Sequence, residues 1–403
     1  MAAAFAPLRY PAFRTLWIAS VLAGTGSWAQ AVGAAWLMVE LTHRADLVAF
    51  VQSAASAPVL FLSFLAGTLA DLYQRRLMQM RAQLWVIFGA SLLMVLCLVE
   101  VVTPLLVLAL TFIAAMGSAL RAPAWQASIR DIVPDRDLAA AVTLSSIGFN
   151  FARILGPAIG GLIVTVTDPT GAFAFNIAVS ILLLLALHKA SYEQPDSLQE
   201  PGTGIRHALR TGAHYVWSNH QMRLILPRAT AAGIPASAVL ALLPVLVSQR
   251  FSGQADLYGY LLCSFGMGAV ASPFALAHWR RSYSPETLFS GASSLLAASL
   301  MCLGVSTTIA LSAFALMIGG FAWVIIFTTL NTSVQFCAEM SYRGRALSAY
   351  MTCAFGGLMI GSLVWGSLAE HVSLRLAFSS AGAILAGSLL LRCASKLPDG
   401  RDV

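Results

Sequence analysis

Gly67-Thr68-Leu69-Ala70-Asp71-Leu72-Tyr73-Gln74-Arg75-Arg76 lies between two long apolar runs, and its reading decides the fold. Gly67 lets another backbone come close. Asp71 puts an anion where a membrane surface would lie, able to cap a neighbouring helix N-terminus. Arg75 and Arg76 hold such a segment on the cytoplasmic side of a bilayer. All of this requires that the flanking runs cross a membrane.

Composition says that they do. Of 403 residues, 58% are hydrophobic and 10% charged, against about 25% charged in a soluble domain. So little polar surface excludes a large soluble globule. The net charge of +7 is spread between apolar runs and not gathered on one polar face, which argues against nucleic acid as a partner and for topology signals. The six cysteines sit in or at the ends of apolar runs, without a C-x-x-C pair. They read as packing residues, and no metal site is expected. The first apolar run, Thr15–Val39, is too long for a signal-peptide core and is expected to be retained as a helix.

A spanning helix needs about 20 apolar residues. The first half offers Thr15–Val39, Leu47–Ala70, Ala82–Val99, Val101–Leu120, Leu138–Thr167 and Pro169–His188. The second offers Leu224–Gln249, Leu257–Trp279, Thr287–Ala338 broken near Ser306-Thr307-Thr308, Ala346–Ala369 and Leu376–Leu391. The expected fold is all-α and integral to the membrane: 12 transmembrane helices in two six-helix bundles. Residues 1–189 form the first bundle and 223–403 the second. Between them, 190–222 is a linker with an amphipathic surface helix over Ile205–Trp217.

Charge sets the orientation. With the N-terminus inside, the outer loops hold only Arg44, Arg250 and Arg375, while Arg9, Arg75, Arg76, Arg136, Lys189, Arg223, Arg280, Arg281, Arg343, Arg345 and their neighbours lie inside. Both termini are expected in the cytoplasm. The halves also repeat. Arg14 matches Arg223, Arg75-Arg76 matches Arg280-Arg281, and Gly156-x3-Gly160 matches Gly357-x3-Gly361. A parallel duplication gives such offsets.

Together with Gly156-Pro157-Ala158-Ile159-Gly160-Gly161 in helix 5, these features resemble a major facilitator superfamily transporter. Trp28-Ala29-Gln30, Trp36-Leu37, Leu41-Thr42, Pro123-Ala124-Trp125-Gln126-Ala127, Asn150-x-Ala152-Arg153, Arg343-Gly344-Arg345-Ala346 and Trp365-Gly366-Ser367-Leu368-Ala369-Glu370 are similar to its enterobactin-exporter-like, or transmembrane secretion effector, branch. The resemblance covers nearly the whole chain. It implies a bacterial inner-membrane protein, working as a monomer, that is no enzyme and binds no cofactor. It also implies a latch: Asp71 engages the start of helix 11 in the outward-facing state, with Gly67, Arg75, Arg76, Arg343 and Arg345 around it. This copy departs from the usual pattern, with Leu72 at a commonly basic position and Gln74 at a usual glycine.

Residues of the helices supply the remaining candidates. Gly148, Ala152, Gly156 and Gly160 recur every four residues, so helices can approach closely there, and Pro157 can bend helix 5. The stripe is either packing alone or a moving seam between the halves, with Gly161 beside it. Arg153 lies deep in helix 5 with no acid at its depth, and a charge there faces water or a partner. It pairs with carbonyls or Asn150, or meets an anionic group of the cargo. Arg228 is expected to snorkel to the interface. Gln30, Asn331 and Gln335 are amides that need partners or a wet cavity, and Trp28 and Trp323 line that cavity or pack in the core. Glu40, Glu100 and Glu370 stand near the outer ends of their helices, as anchors or as an outer gate facing Arg44 and Arg375. Glu40 is taken as the proton site. The histidines of the linker fit no zinc spacing, and the two lysines fit no ATP-binding loop.

The expectation is a secondary active transporter that exports an amphipathic organic compound, drug-like or siderophore-like, on a proton gradient. The alternatives are inward transport of a small organic anion and a membrane sensor or scaffold that moves nothing.

Overall fold

The computed structural model describes residues 2–72, 74–190, 215, 218–251, 253–339, 343–389 and 397. After a short 3-10 turn, Ala2–Arg9, come α1 (Pro11–Leu41), α2 (Ala45–Leu72), α3 (Arg75–Leu98), α4 (Pro104–Ile132), α5 (Asp135–Val166) and α6 (Pro169–Lys189). Then follow α7 (His220–Arg250), α8 (Ala255–Trp279), α9 (Pro285–Val305), α10 (Ile309–Cys337), α11 (Arg343–His371) and α12 (Leu374–Ser388). Among the described residues, ten helices are long and apolar enough to cross a membrane; α1 and the 15 described residues of α12 are the others. The amphipathic helix expected at 205–217 lies outside the described residues, apart from Tyr215.

Local chemistry places the helix starts. Pro11, Pro104, Pro169 and Pro285 open their helices, where a missing N–H costs nothing. Thr103, Asp168, Asn219, Ser284, Thr308 and Ser373 cap with their side chains, each accepting from a free backbone N–H of the first turn. Several helices outrun their apolar stretch. Helix 4, expected to end at Leu120, continues to Ile132. Helix 2 continues to Leu72, so Gly67–Leu72 is helix and not loop. The apolar run marks the hydrocarbon, while backbone hydrogen bonding carries on into the polar region.

Helices α1–α6 pack chiefly among themselves: α1 on α5 and α6, α2 on α4, α3 on α4 and α6. In the second group α7 packs on α11 and α12, α8 on α10, and α9 on α10 and α12. The groups meet through α2 on α11 and α5 on α8. The most buried helix is α7, with 78% of its apolar window inside against 33% for α3 and α4. Accordingly α3 turns Leu84, Phe88, Val95 and Leu98 outward, as a lipid-facing helix does.

The two glycine stripes repeat in space. Gly156 and Gly160 of α5 lie against Thr25, Trp28, Ala29 and Val32 of α1, and Gly357 and Gly361 of α11 against Thr230, Gly233, Ile234 and Ser237 of α7. Each stripe seats its helix on the first helix of its own group.

Candidate functional site

That seating favours packing over the seam, the two roles expected of the stripe. Gly148, Gly156 and Gly160 face α1, so they bind the first group together and do not form the seam. The seam uses the next face of α5. Gly161 meets Gly259 and Leu262 of α8, Ala158 meets Gly266, and Thr165 Oγ1 donates to the Ala255 carbonyl at 3.3 Å. Residues 158, 161 and 165 share a face at helical spacing.

The α2–α11 contact runs from the far face, the one with few basic residues, toward the middle. Gly366 lies against Ala49 and Asp46. Ser53 and Ser362 share a hydrogen bond of 2.6 Å, and Ser53 also donates to the Met359 carbonyl at 3.1 Å. Lower down, Leu60 touches Gly356. At the very edge, the Ala45 N–H donates to Glu370 Oε2 at 2.6 Å. Ala45 is the first residue of α2, whose amide has no partner inside the helix. A carboxylate from the other group therefore caps α2, and the helix dipole favours that charge. Arg44 pairs with Asp46 at 2.6 Å instead of Glu370, and that hydrogen bond pushes the Arg44 guanidinium further above its ordinary value. Trp36 of α1 stacks on Tyr258 of α8, centroids 5.0 Å apart. The seam is thus closed at the far face. A residual cavity of about 20 Å³, bounded by Trp28, Val32, Gln52, Pro157, Leu240 and Tyr258, has room for about one water.

Arg153 sits one turn below Pro157 on the same face of α5, toward the basic face. Its guanidinium stands over Trp323 of α10, 4.9 Å from the ring centroid, and 5.7 Å from that of Phe327. Its Nη2 donates to Asn150 Oδ1 at 2.8 Å. Nearby, the Tyr350 hydroxyl of α11 donates to the Phe327 carbonyl at 2.9 Å. Arg153 keeps only 9% of its surface and Trp323 2%. Neither Arg153 Nε nor Trp323 Nε1 has an acceptor among the described residues. The ring faces contribute up to about 2 kcal/mol to a desolvated cation, less than the several kcal/mol that desolvating it costs. Rings and a neutral amide cushion the charge without neutralising it.

Other candidates fall elsewhere. Gln30 is buried in the first group, its Oε1 accepting from Asn176 of α6, and so turns away from the cavity. Gln335 donates to Asn331 at 2.6 Å along α10, both half-buried. Glu40, taken as the proton site, is exposed at the end of α1, as Glu100 and Glu370 are at theirs. Arg75 pairs with Asp131 of α4 at 2.8 Å, and Arg76 donates to the Leu187 carbonyl of α6 at 2.7 Å. Both tie the start of α3 to its own group. The contacts of Gly67 and the side chains of Asp71 and Arg343 lie outside what the structure describes, while Arg345 is half-buried at the start of α11.

Among the charged pairs that sequence reasoning missed, one is buried on both sides. Arg228 does not snorkel; it meets Glu286 at 2.6 Å, both buried. Ser290 Oγ and the Leu397 N–H also donate to Glu286, at 3.2 and 2.8 Å. The expected helix 9 began at Thr287, leaving Glu286 in a loop. In the structure Glu286 lies in the first turn of α9, the position that favours an acid.

Comparison with known proteins agrees with this architecture. The chain is 26% identical over 398 residues to the multidrug efflux pump Tap of Mycobacterium bovis, covering 92% of this chain and 90% of that one. It is 24% identical over 368 residues to the staphyloferrin A transporter of Staphylococcus aureus, covering 90% and 91%. Among solved structures, the D-xylose–proton symporter superposes with a TM-score of 0.72 at 13% identity, over 97% of this chain and 98% of that one. The sequence profile of the transmembrane secretion effector family matches residues 2–403. The chain belongs to the transmembrane secretion effector family of major facilitator superfamily transporters.

Proposed function

We propose that this transporter exports an amphipathic organic compound by alternating access, driven by the proton gradient across a bacterial inner membrane, with both termini in the cytoplasm. The observation that carries the reading is the seam. It is closed at one face by the Glu370 cap, Ser53–Ser362 and Gly161 on Gly259, and a cation without a counter-charge among the described residues lies below it. A closed far face above such a group suits a state that loads from the cytoplasm. Similarity to efflux pumps supports the outward direction, and the positive-inside bias supports the orientation.

In this reading the two groups rock about the seam as a monomer, and no cofactor takes part. When the far face opens, Asp71 at the other end of α2 engages the start of α11. The two ends of one helix pair would then alternate as latches.

Accumulation of a panel of amphipathic dyes in cells with and without the protein tests this. Cells making it should hold less dye, and collapsing the proton gradient should erase the difference. Asp71→Asn and Arg153→Ala should weaken export while inserting normally. Equal accumulation in all strains overturns the reading.

Inward transport is the second direction compatible with Arg153. Counterflow in vesicles of known orientation separates the two.

A further inference from the structure

We infer that Arg153 and Trp323 form a seat for an organic anion, a compound whose carboxylate or similar pair of acceptor oxygens lies against an aromatic body. The inference rests on the transport reading above but not on its direction.

Three observations meet at this place. First, the guanidinium is nine-tenths buried, yet no carboxylate pairs with it among the described residues. Arg228, buried as deeply, does have its acid, Glu286, while Arg121 of α4 also has a buried Nε without an acceptor among the described residues but stands against no such pair of rings. Second, the missing partners are all acceptors. Arg153 Nε and Trp323 Nε1 are buried N–H donors without an acceptor, on side chains in contact with each other. Buried donors are normally satisfied, and a carboxylate offers oxygens to more than one. Third, the donors stand beside aromatic rings: Trp323 and Phe327 pack edge to face at 4.9 Å, and Phe265 packs on Trp323 at 6.0 Å. An acceptor pair against apolar rings matches an amphipathic anion.

Position favours cargo over a static brace. Arg153 belongs to the first group and both rings to the second, so this contact spans the seam. It lies one turn below Pro157, which bounds the residual cavity. A cationic cargo is disfavoured at the same place. The ring faces that would hold it already carry the guanidinium, and a second positive charge would enter with no acid paired to the first among the described residues.

The test uses three probes on one skeleton: 2-naphthoate, 2-naphthylmethanol and 2-naphthylmethylammonium. Binding to the full chain in nanodiscs is measured by calorimetry, with empty nanodiscs subtracted. Naphthoate should bind about tenfold tighter than the ammonium, the size of one charge-assisted contact. Arg153→Gln should erase that preference. Trp323→Phe, which keeps a ring but loses the N–H, should weaken naphthoate several-fold and the alcohol less, and it carries the test if Arg153→Gln does not fold. Equal or tighter binding of the ammonium overturns the inference. So does a preference that survives Arg153→Gln, or absence of naphthoate binding at millimolar concentration. Naphthoate binding without dye export would instead refute the efflux reading and leave the seat standing.

Discussion

Replacing Glu370 by Gln tests the far-face closure most directly. The side chain keeps its length, and its oxygen can still accept from the Ala45 N–H now bonded at 2.6 Å. What disappears is the charge. A hydrogen bond to a charged group contributes about 1.5–3 kcal/mol, and a neutral amide recovers part of it. Glu370 is exposed, so solvent screens its interaction with the α2 dipole. The net loss is about 1 kcal/mol, which raises the far-face-open population about fivefold. Spin labels on cysteines at His43 and Val372, exposed beside the two helix ends, would report it in a background stripped of native cysteines. The long-distance component should grow about fivefold. Glu100→Gln, an exposed carboxylate away from the seam, should change nothing. An unaltered distance distribution for Glu370→Gln, or an equal change for both variants, would refute the argument.

Further outcomes follow from the same contacts. Glu286→Ala leaves Arg228 buried without its acid and should cost about 3–5 kcal/mol in thermal unfolding; adding Arg228→Met should recover most of it. Gly156→Val pushes into Trp28 inside the first group and should lower the melting temperature. Gly161→Val pushes into Gly259 and Leu262 across the seam, and should open the labelled far face more than it lowers the melting temperature. Gln30→Leu strands the Asn176 amide in the interior at a cost of about 1–3 kcal/mol, without changing which dyes are exported.

The apolar runs made the helices legible, because a bilayer demands about 20 such residues each time. The glycine pattern disclosed the repeat, since Gly156-x3-Gly160 and Gly357-x3-Gly361 do equivalent jobs on α1 and α7. Which helix a stripe faces was less legible. Gly156 and Gly161 are five residues apart, about 140° around the helix, and only the assembled bundle shows which one meets the other group. Contacts between distant segments were illegible for the same reason. Glu370 and Ala45 are 325 residues apart in sequence, and Gln30 and Asn176 are 146. Arg153 stood out because a charge deep in an apolar run is costly wherever it lies; its aromatic neighbours came only with the fold.

The seam has one more consequence, concerning water. Beside the Trp36–Tyr258 stack and Leu262, its far-face half is mostly glycine, alanine and serine: Ala49, Ser53, Ser362 and Gly366 on one side, Ala158, Gly161, Gly259 and Gly266 on the other. While it is shut, the serines spend their hydroxyls on each other and on the Met359 and Leu358 carbonyls. Parting the helices bares small residues, hydroxyls and backbone, which water can wet, where leucine or phenylalanine would resist wetting. The same surface can therefore be dry protein interior in one state and the wall of an aqueous vestibule in the next, with little free energy separating its two lives.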